Sequence, residues 1–169
     1  MNTLNTKEEF LKQVEEHKLI IYKICNSYCK NISDRADLAQ EITFQLWRSY
    51  NQFKGAVKFS TWMYRVALNV AISFYRKTKT GEAIIQLAEP DTEIEDRKED
   101  TIELEKNINT LQQFINELKE LDKALMILYL EEKSYNEIAE ILGITETNVA
   151  TRISRIKDKL KQKFSTINN

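Results

Sequence analysis

Apolar residues recur along this chain at the three- and four-residue spacing of helices, and the breaks between periodic runs are short. The pattern predicts one helix over 7–30 and a second over 34–50, entered through Ser33 or Asp34 as N-cap. The loop NQFKGAVKFS, around Gly55, leads to a third helix running from Ser60 or Thr61 to Lys77. Four more fall near 107–120, 122–132, 134–142 and 145–164. In the second helix Leu38, Ile42 and Leu46 point to one side, and Asp37, Gln40, Glu41, Phe44 and Arg48 to the other, with Trp47 at the edge. In the third, Met63, Val66, Ala67, Val70 and Phe74 share the expected core face, and Arg65, Asn69, Ser73 and Arg76 form the opposite stripe with Trp62 beside it.

The last two helices carry the strongest local signal. In SYNEIAEILGITETNVATRISRIKDKL, Ser134 and Glu137 have the spacing of a capping box, and Ile138, Ala139, Ile141 and Leu142 supply an inner face. Gly143 provides a tight turn where positive φ is cheap, Ile144 plugs the junction, and Thr145 caps the next helix. Val149, Ile153, Ile156 and Leu160 then face inward, which leaves Asn148, Thr151, Arg152, Arg155 and Lys159 outside. This is the pattern of a helix-turn-helix. Short polar residues near the start of its second helix can touch base edges in the major groove, while Arg and Lys bind phosphates. The plainer alternative is a helical hairpin with a solvated basic face.

Composition sharpens the fold class. With three Gly, one Pro and 30% charged residues in 169, an all-α protein is expected, and 42% hydrophobic residues suffice for packed cores. No run approaches the roughly 18–20 apolar residues that span a bilayer, and the N-terminus, MNTLNTKEEFLKQVEEHK, is too polar for a signal peptide. A cytoplasmic location is the default expectation. Cys25 and Cys29, spaced i,i+4 with only His17 near, fall short of the roughly four ligands of a zinc site. They read as packed helix cysteines, and no metal or cofactor is expected.

The net charge of −1 conceals a division. Lys54, Lys58, Arg65, Arg76, Lys77 and Lys79 form one basic block without acids. Arg152, Arg155, Lys157, Lys159, Lys161 and Lys163 form another, against Glu146 and Asp158. Between them, 82–105 holds ten acidic and two basic residues. With Gly81 and Pro90, residues 81–106 read as an acidic, extended linker between small helical domains at 1–80 and 107–169. Basic residues beside Trp62, Phe53 and Phe59 suit unstacked nucleic acid, whose bases stack on aromatic rings. Packing of Trp62 against the first helix is an equal alternative. The mixed charge and aromatics of the second helix suit a protein-docking face, with a partly buried, solvated face as the alternative.

Three segments resemble a known family. DLAQEITFQLWRSYNQF is similar to region 2.2 of bacterial RNA polymerase sigma factors, FKGAVKFSTWMYRVALNVAISFYRK to regions 2.3 and 2.4, and LKELDKALMILYLEEKSYNEIAEILGITETNVATRISRIKDKL to region 4. With no room for regions 1.1 and 3, the chain resembles the extracytoplasmic-function (ECF) subfamily. That resemblance implies a non-catalytic subunit that directs polymerase to promoters and helps open them. It implies that Asp37, Gln40, Glu41, Phe44 and Arg48 dock on the clamp helices of the polymerase β′ subunit. Lys54, Lys58, Phe59, Trp62, Tyr64, Arg65, Asn69 and Arg76 would engage and melt the downstream promoter element, with loop 51–59 holding a flipped non-template base. Asn148, Ala150, Thr151, Arg152, Ser154 and Arg155 would meet the upstream element, and other region 4 surfaces the β flap. The linker would lie near the active-site and RNA-exit channels, and an anti-sigma factor is a common partner in the family. The chain departs from the family pattern at Ala150, where Lys or Arg is frequent, and at Asn148, where Thr is usual. Thr43 replaces a common Phe, and the customary Pro after Leu118 is missing.

Enzymatic readings find little support, because Gly81 is isolated from any GxxxxGK run and the single histidine, His17, has no nucleophile beside it. The rival reading is a conventional helix-turn-helix regulator that binds an operator without joining the polymerase, and a sigma-like adaptor is a third.

Overall fold

The computed structural model describes residues 3–78 and 99–167, and all regular structure in them is helical. The N-terminal half consists of α1 (Thr3–Glu16), α2 (Lys18–Tyr28), α3 (Ile32–Ser49), a 3-10 turn at Tyr50–Gln52, and α4 (Phe59–Thr78). The C-terminal half consists of α5 (Glu99–Glu117), α6 (Glu120–Leu130), α7 (Tyr135–Leu142) and α8 (Glu146–Ile167).

The helix expected over 7–30 is two helices. At His17 the backbone leaves the helical region (φ −114°, ψ 16°), its N–H is shared between the carbonyls of Gln13 and Val14, and its ring meets Phe59 at 5.3 Å. The N-cap of α3 is Asn31 instead of Ser33 or Asp34: its Oδ1 accepts from the Asp34 N–H at 2.7 Å while its Nδ2 donates to the Asp34 carboxylate at 2.8 Å. The linker also differs in part. Residues 79–98 lie outside the described residues, but 99–106 are the opening turns of α5. Glu99 and Asp100 there sit beside the positive end of the helix dipole, where acidic side chains are favourable. Ile102 and Leu104 remain exposed, so helix propensity sustains these turns more than packing does.

Leu38, Ile42 and Leu46 of α3 are fully buried against α2 and α4, as their spacing predicts. Val149, Ile153 and Ile156 of α8 close on Ile138 and Ile141 of α7 and on the apolar run Ala124–Leu128 of α6. Helix α4 is where the pattern misleads. Met63 and Ala67 are buried and Val66, Val70 and Phe74 partly so, but Tyr64, Leu68 and Ala71 are buried too. A second face of α4 is covered because α6 and α7 pack on it. The buried residues of both halves therefore form one continuous core.

Candidate nucleic-acid and protein interfaces

On α3, the side chains of Asp37, Gln40, Glu41, Phe44 and Arg48 all face solvent, as does Trp47. Phe44 is 56% exposed and Trp47 43%, far above what a packed aromatic shows. With Leu38, Ile42 and Leu46 turned inward, the opposite stripe is left at the surface. Helix α1 extends this surface: Lys7, Phe10 and Leu11 face Ala39, Gln40, Thr43, Phe44 and Trp47 across an apolar groove of about 540 Å3. Thr43, small where a large aromatic is common in the family, turns its hydroxyl back to the Ala39 carbonyl at 2.8 Å and forms part of the groove. The contribution of α1 carries no signature in the sequence beyond the period of its own apolar residues.

The residues expected to melt DNA are divided. Lys54, Lys58, Asn69 and Arg76 are exposed. Phe59 and Trp62 are not: both are at most 9% exposed, inside an aromatic nest. Trp62 stacks on Phe53 with centroids 5.0 Å apart and rings inclined by 30°, and meets Phe59 at 5.4 Å and Tyr50 at 6.2 Å. The nest continues through Tyr50 and Phe10 to Trp47 on the exposed face of α3. The sequence left open whether Trp62 is packed or free to stack on a base, and in this chain its ring is covered. Phe53, on the loop after α3 that turns through Gly55 at φ +72°, lies over the ring.

Tyr64 and Arg65 point toward the C-terminal half. Tyr64 is 4% exposed, and the Lys133 ammonium lies 5.5 Å from its ring centre. Burial, reinforced by the Glu131 carboxylate, pushes its phenol up to about 12. Arg65 donates from Nη2 to the Glu140 carbonyl at 2.8 Å, and Arg76 Nε lies 3.7 Å from a Glu120 carboxylate oxygen. Asn69 and Ser73 instead line a groove with Asp37, Glu41 and Lys77 between α3 and α4. The predicted stripe of Arg65, Asn69, Ser73 and Arg76 is therefore split, its two long cations reaching α7 and α6 while its short polar residues face α3.

The helix-turn-helix is built as its sequence predicts. Ser134 accepts from the Glu137 N–H at 3.1 Å, and the Glu137 carboxylate accepts from the Ser134 N–H at 3.0 Å. Gly143 adopts φ +68° and its N–H donates to the Ala139 carbonyl at 2.9 Å. Thr145 caps α8 by accepting from the Asn148 N–H at 3.1 Å. Thr151, Ser154 and Arg155 are exposed, and Ala150 is half-buried. Asn148 and Arg152 are exposed and half-buried respectively, but they are engaged with each other: Arg152 Nε donates to Asn148 Oδ1 at 3.0 Å and Nη1 to Asp122 at 3.0 Å.

Cys25 and Cys29 are buried free thiols. Burial pushes Cys25 up to about 12 and Cys29 up to about 11, which makes neither a ready thiolate. Among the described residues no group of three or more His, Cys, Asp or Glu could hold a metal ion, and no helix is long and apolar enough to cross a membrane. Sequence reasoning missed Lys123, which is buried on α6 facing the N-terminal half. No local signal distinguishes it from the other lysines of an amphipathic helix.

Residues 13–80 match the family model of Sigma-70 region 2, and residues 108–160 that of Sigma-70 region 4. The chain is 30% identical to the ECF RNA polymerase sigma factor SigW of Bacillus subtilis, over 94% of this chain and 90% of that protein. It is 29% identical to the ECF RNA polymerase sigma-E factor of Haemophilus influenzae, over 80% and 77% of the two chains. In fold it resembles CnrH in complex with the cytosolic domain of CnrY (TM-score 0.65, 20% identity, 95% of this chain and 90% of that one). It also resembles the sigma factor RpoE of Bartonella quintana in complex with the anti-sigma factor NepR (TM-score 0.63, 18% identity, 95% and 97%). A region 2 helical group, a region 4 helix-turn-helix and a relative matched along nearly its whole length leave one assignment: the chain belongs to the extracytoplasmic-function sigma factors, the promoter-directing subunits of bacterial transcription initiation.

Proposed function

We propose that this sigma factor divides its work among three surfaces, with 1–80 and 107–169 acting as separable units. The α3 face of Asp37, Gln40, Glu41, Phe44 and Arg48, widened by the α1 groove, docks on the β′ clamp helices of core polymerase. Apolar side chains this exposed, ringed by both signs of charge, have the make-up of an interface core and rim. The loop with Lys54 and Lys58, together with Trp62, Tyr64, Arg65, Asn69 and Arg76 of α4, captures the downstream element and its extruded bases. Capture offsets an unstacking cost of a few kcal/mol. The N-terminal half of α8, with Asn148, Thr151, Arg152, Ser154 and Arg155, enters the major groove of the upstream element. Other faces of the C-terminal half meet the β flap. Joining two weak DNA sites on one polymerase-bound chain raises their effective concentration for each other.

The observation that carries this division is the exposed α3 face, where Phe44 and Trp47 stand at the surface beside side chains of both charges. A helix-turn-helix regulator has no use for it. The reaction is the polymerase's own, and the sigma subunit contributes binding and strand capture. The work is cytoplasmic, where polymerase and promoters are. Both structural neighbours are in complex with a protein partner; for this chain, an anti-sigma factor competing for the α3 face would block docking on polymerase. The test is transcription in vitro with sigma-free core polymerase on genomic DNA fragments. Initiation that depends on this protein supports the proposal, and operator-like binding without such initiation refutes it.

A further inference from the structure

A chain of side-chain bonds reaches the N-terminal half of α8 from another helix. Arg152 donates from Nη1 to the carboxylate of Asp122, in the first turn of α6, at 3.0 Å. From Nε the same guanidinium donates to Asn148 Oδ1 at 3.0 Å, one turn back along α8. The Asn148 N–H donates to Thr145 Oγ1 at 3.1 Å, so the backbone and the side-chain oxygen of Asn148 are both engaged within the chain. Asn148 is exposed, whereas Arg152 and Asp122 are half-buried. Beside it, the exposed Thr151 donates its hydroxyl hydrogen to the Thr147 carbonyl at 2.9 Å, which leaves lone pairs and a methyl for an outside partner. Of these two short polar residues, the donor is Asn148.

We propose that Asn148 determines base specificity as a donor: it offers its Nδ2 hydrogens to the major-groove edge of a keto base, guanine or thymine. Arg152, itself held by Asp122, is the positioning residue that sets the amide this way. This rests on the assignment of α8 to the upstream element, and adds to it the class of base selected.

An arginine side chain carries only N–H donors, so the end of an asparagine amide that can face it is the oxygen. Turning the amide over would set its two hydrogens against those of a cation. The guanidinium does not swing aside to allow this, because its donors form a rigid fork and one prong is fixed on a carboxylate. Charge-assisted bonds of that kind are roughly twice as strong as neutral ones. With the oxygen turned to Arg152, Nδ2 is the end that Asn148 presents outward. In the major groove guanine shows O6 and N7 and thymine O4, all acceptors, whereas adenine N6 and cytosine N4 are donors that oppose another donor. An asparagine with both ends available suits adenine, accepting from N6 while donating to N7. The pair of Asp122 and Arg152 therefore turns a residue type suited to adenine into one that selects against it.

The test is selection by the holoenzyme. The full chain on core polymerase is offered a promoter fragment from the transcription assay above with its upstream segment randomised, and the bound fraction is sequenced. At one base pair the wild type is expected to favour guanine or thymine over adenine or cytosine by about fivefold to tenfold. That pair is the one at which Asn148→Ala loses its preference while neighbouring pairs keep theirs. Arg152→Met removes the guanidinium and frees the Asn148 oxygen, so adenine should gain on guanine at that pair by about fivefold, with the other pairs unchanged. Asp122→Ala releases Arg152 without removing it, and should give a shift in the same direction of about twofold. Should Arg152→Met lose helical circular dichroism, Asp122→Ala decides. An Arg152 that only binds phosphate or supports the fold would lower affinity for every sequence alike, and an unchanged base profile in the folded variants overturns the proposal. Adenine favoured by the wild type at that pair, or an Asn148→Ala profile identical to wild type, overturns it too. A holoenzyme that selects no upstream sequence at all overturns instead the assignment of α8 to that element.

Discussion

Replacing Trp62 with Ala removes a ring that the structure places under Phe53 and against Phe59 and Tyr50, with 9% of the residue exposed. Large-to-small truncation of a buried aromatic costs about 3–5 kcal/mol. Three ring contacts at 5.0–6.2 Å place Trp62 toward the upper part of that range. Domains of this size have roughly 5–15 kcal/mol in total, so Trp62→Ala takes a large share. At about 2–4 °C per kcal/mol for a chain of 150–250 residues, the midpoint of thermal unfolding falls by about 6–20 °C. Far-UV circular dichroism is the assay, because the substitution removes one of the two tryptophans that fluorescence would follow. Trp62→Phe, which keeps a ring in the nest, should lose less than half as much stability while still weakening promoter opening, measured as permanganate reactivity of melted thymines. A drop of less than about 1 kcal/mol for Trp62→Ala would mean that the ring is not covered in the free protein. Under the proposed promoter role, the ring would then stand ready for a base without displacement of Phe53.

Asp37→Ala combined with Gln40→Ala alters two exposed side chains and should leave stability within about 0.5 kcal/mol, while affinity for core polymerase, read by a pull-down titration, falls at least tenfold. Ser134→Ala breaks the reciprocal cap of α7 and should cost about 1 kcal/mol in a urea melt. Gly143→Ala forces a Cβ into φ +68° and should cost about 1 kcal/mol or more although the space around it is open, so a neutral result in the same melt would refute backbone strain as the reason for glycine there. Cys25 should react with a disulfide reagent at pH 8 far more slowly than an unfolded thiol, since burial holds it near 12 and the thiolate is scarce below that value. Unfolding in urea should make both thiols react at once.

Much of the architecture is legible in the residues one after another, because caps, turns and amphipathic faces are local. Ser134 with Glu137, Gly143, and the inward series Val149, Ile153 and Ile156 specify the helix-turn-helix through bonds and contacts that span a few positions each. The same holds for the α3 face: once Leu38, Ile42 and Leu46 turn inward, Asp37, Gln40, Glu41, Phe44 and Arg48 have no other place than outside. The motifs at Asp37–Arg48 and Phe59–Asn69 carried the family resemblance for the same reason, being written in consecutive turns.

What the periodicity could not show depends on partners far away in the chain. A helical wheel finds one apolar face, but α4 has two covered sides, and Tyr64, Leu68 and Ala71 are buried only because helices that begin more than forty residues later lie across them. Trp62 is covered by Phe53 through the course of a loop. Lys123, like any lysine in sequence, became a buried cation between two tyrosines only when α2, α4 and α6 met. Local hydrogen bonding and side-chain period are properties of neighbouring residues, whereas burial is a property of whatever else occupies the same space.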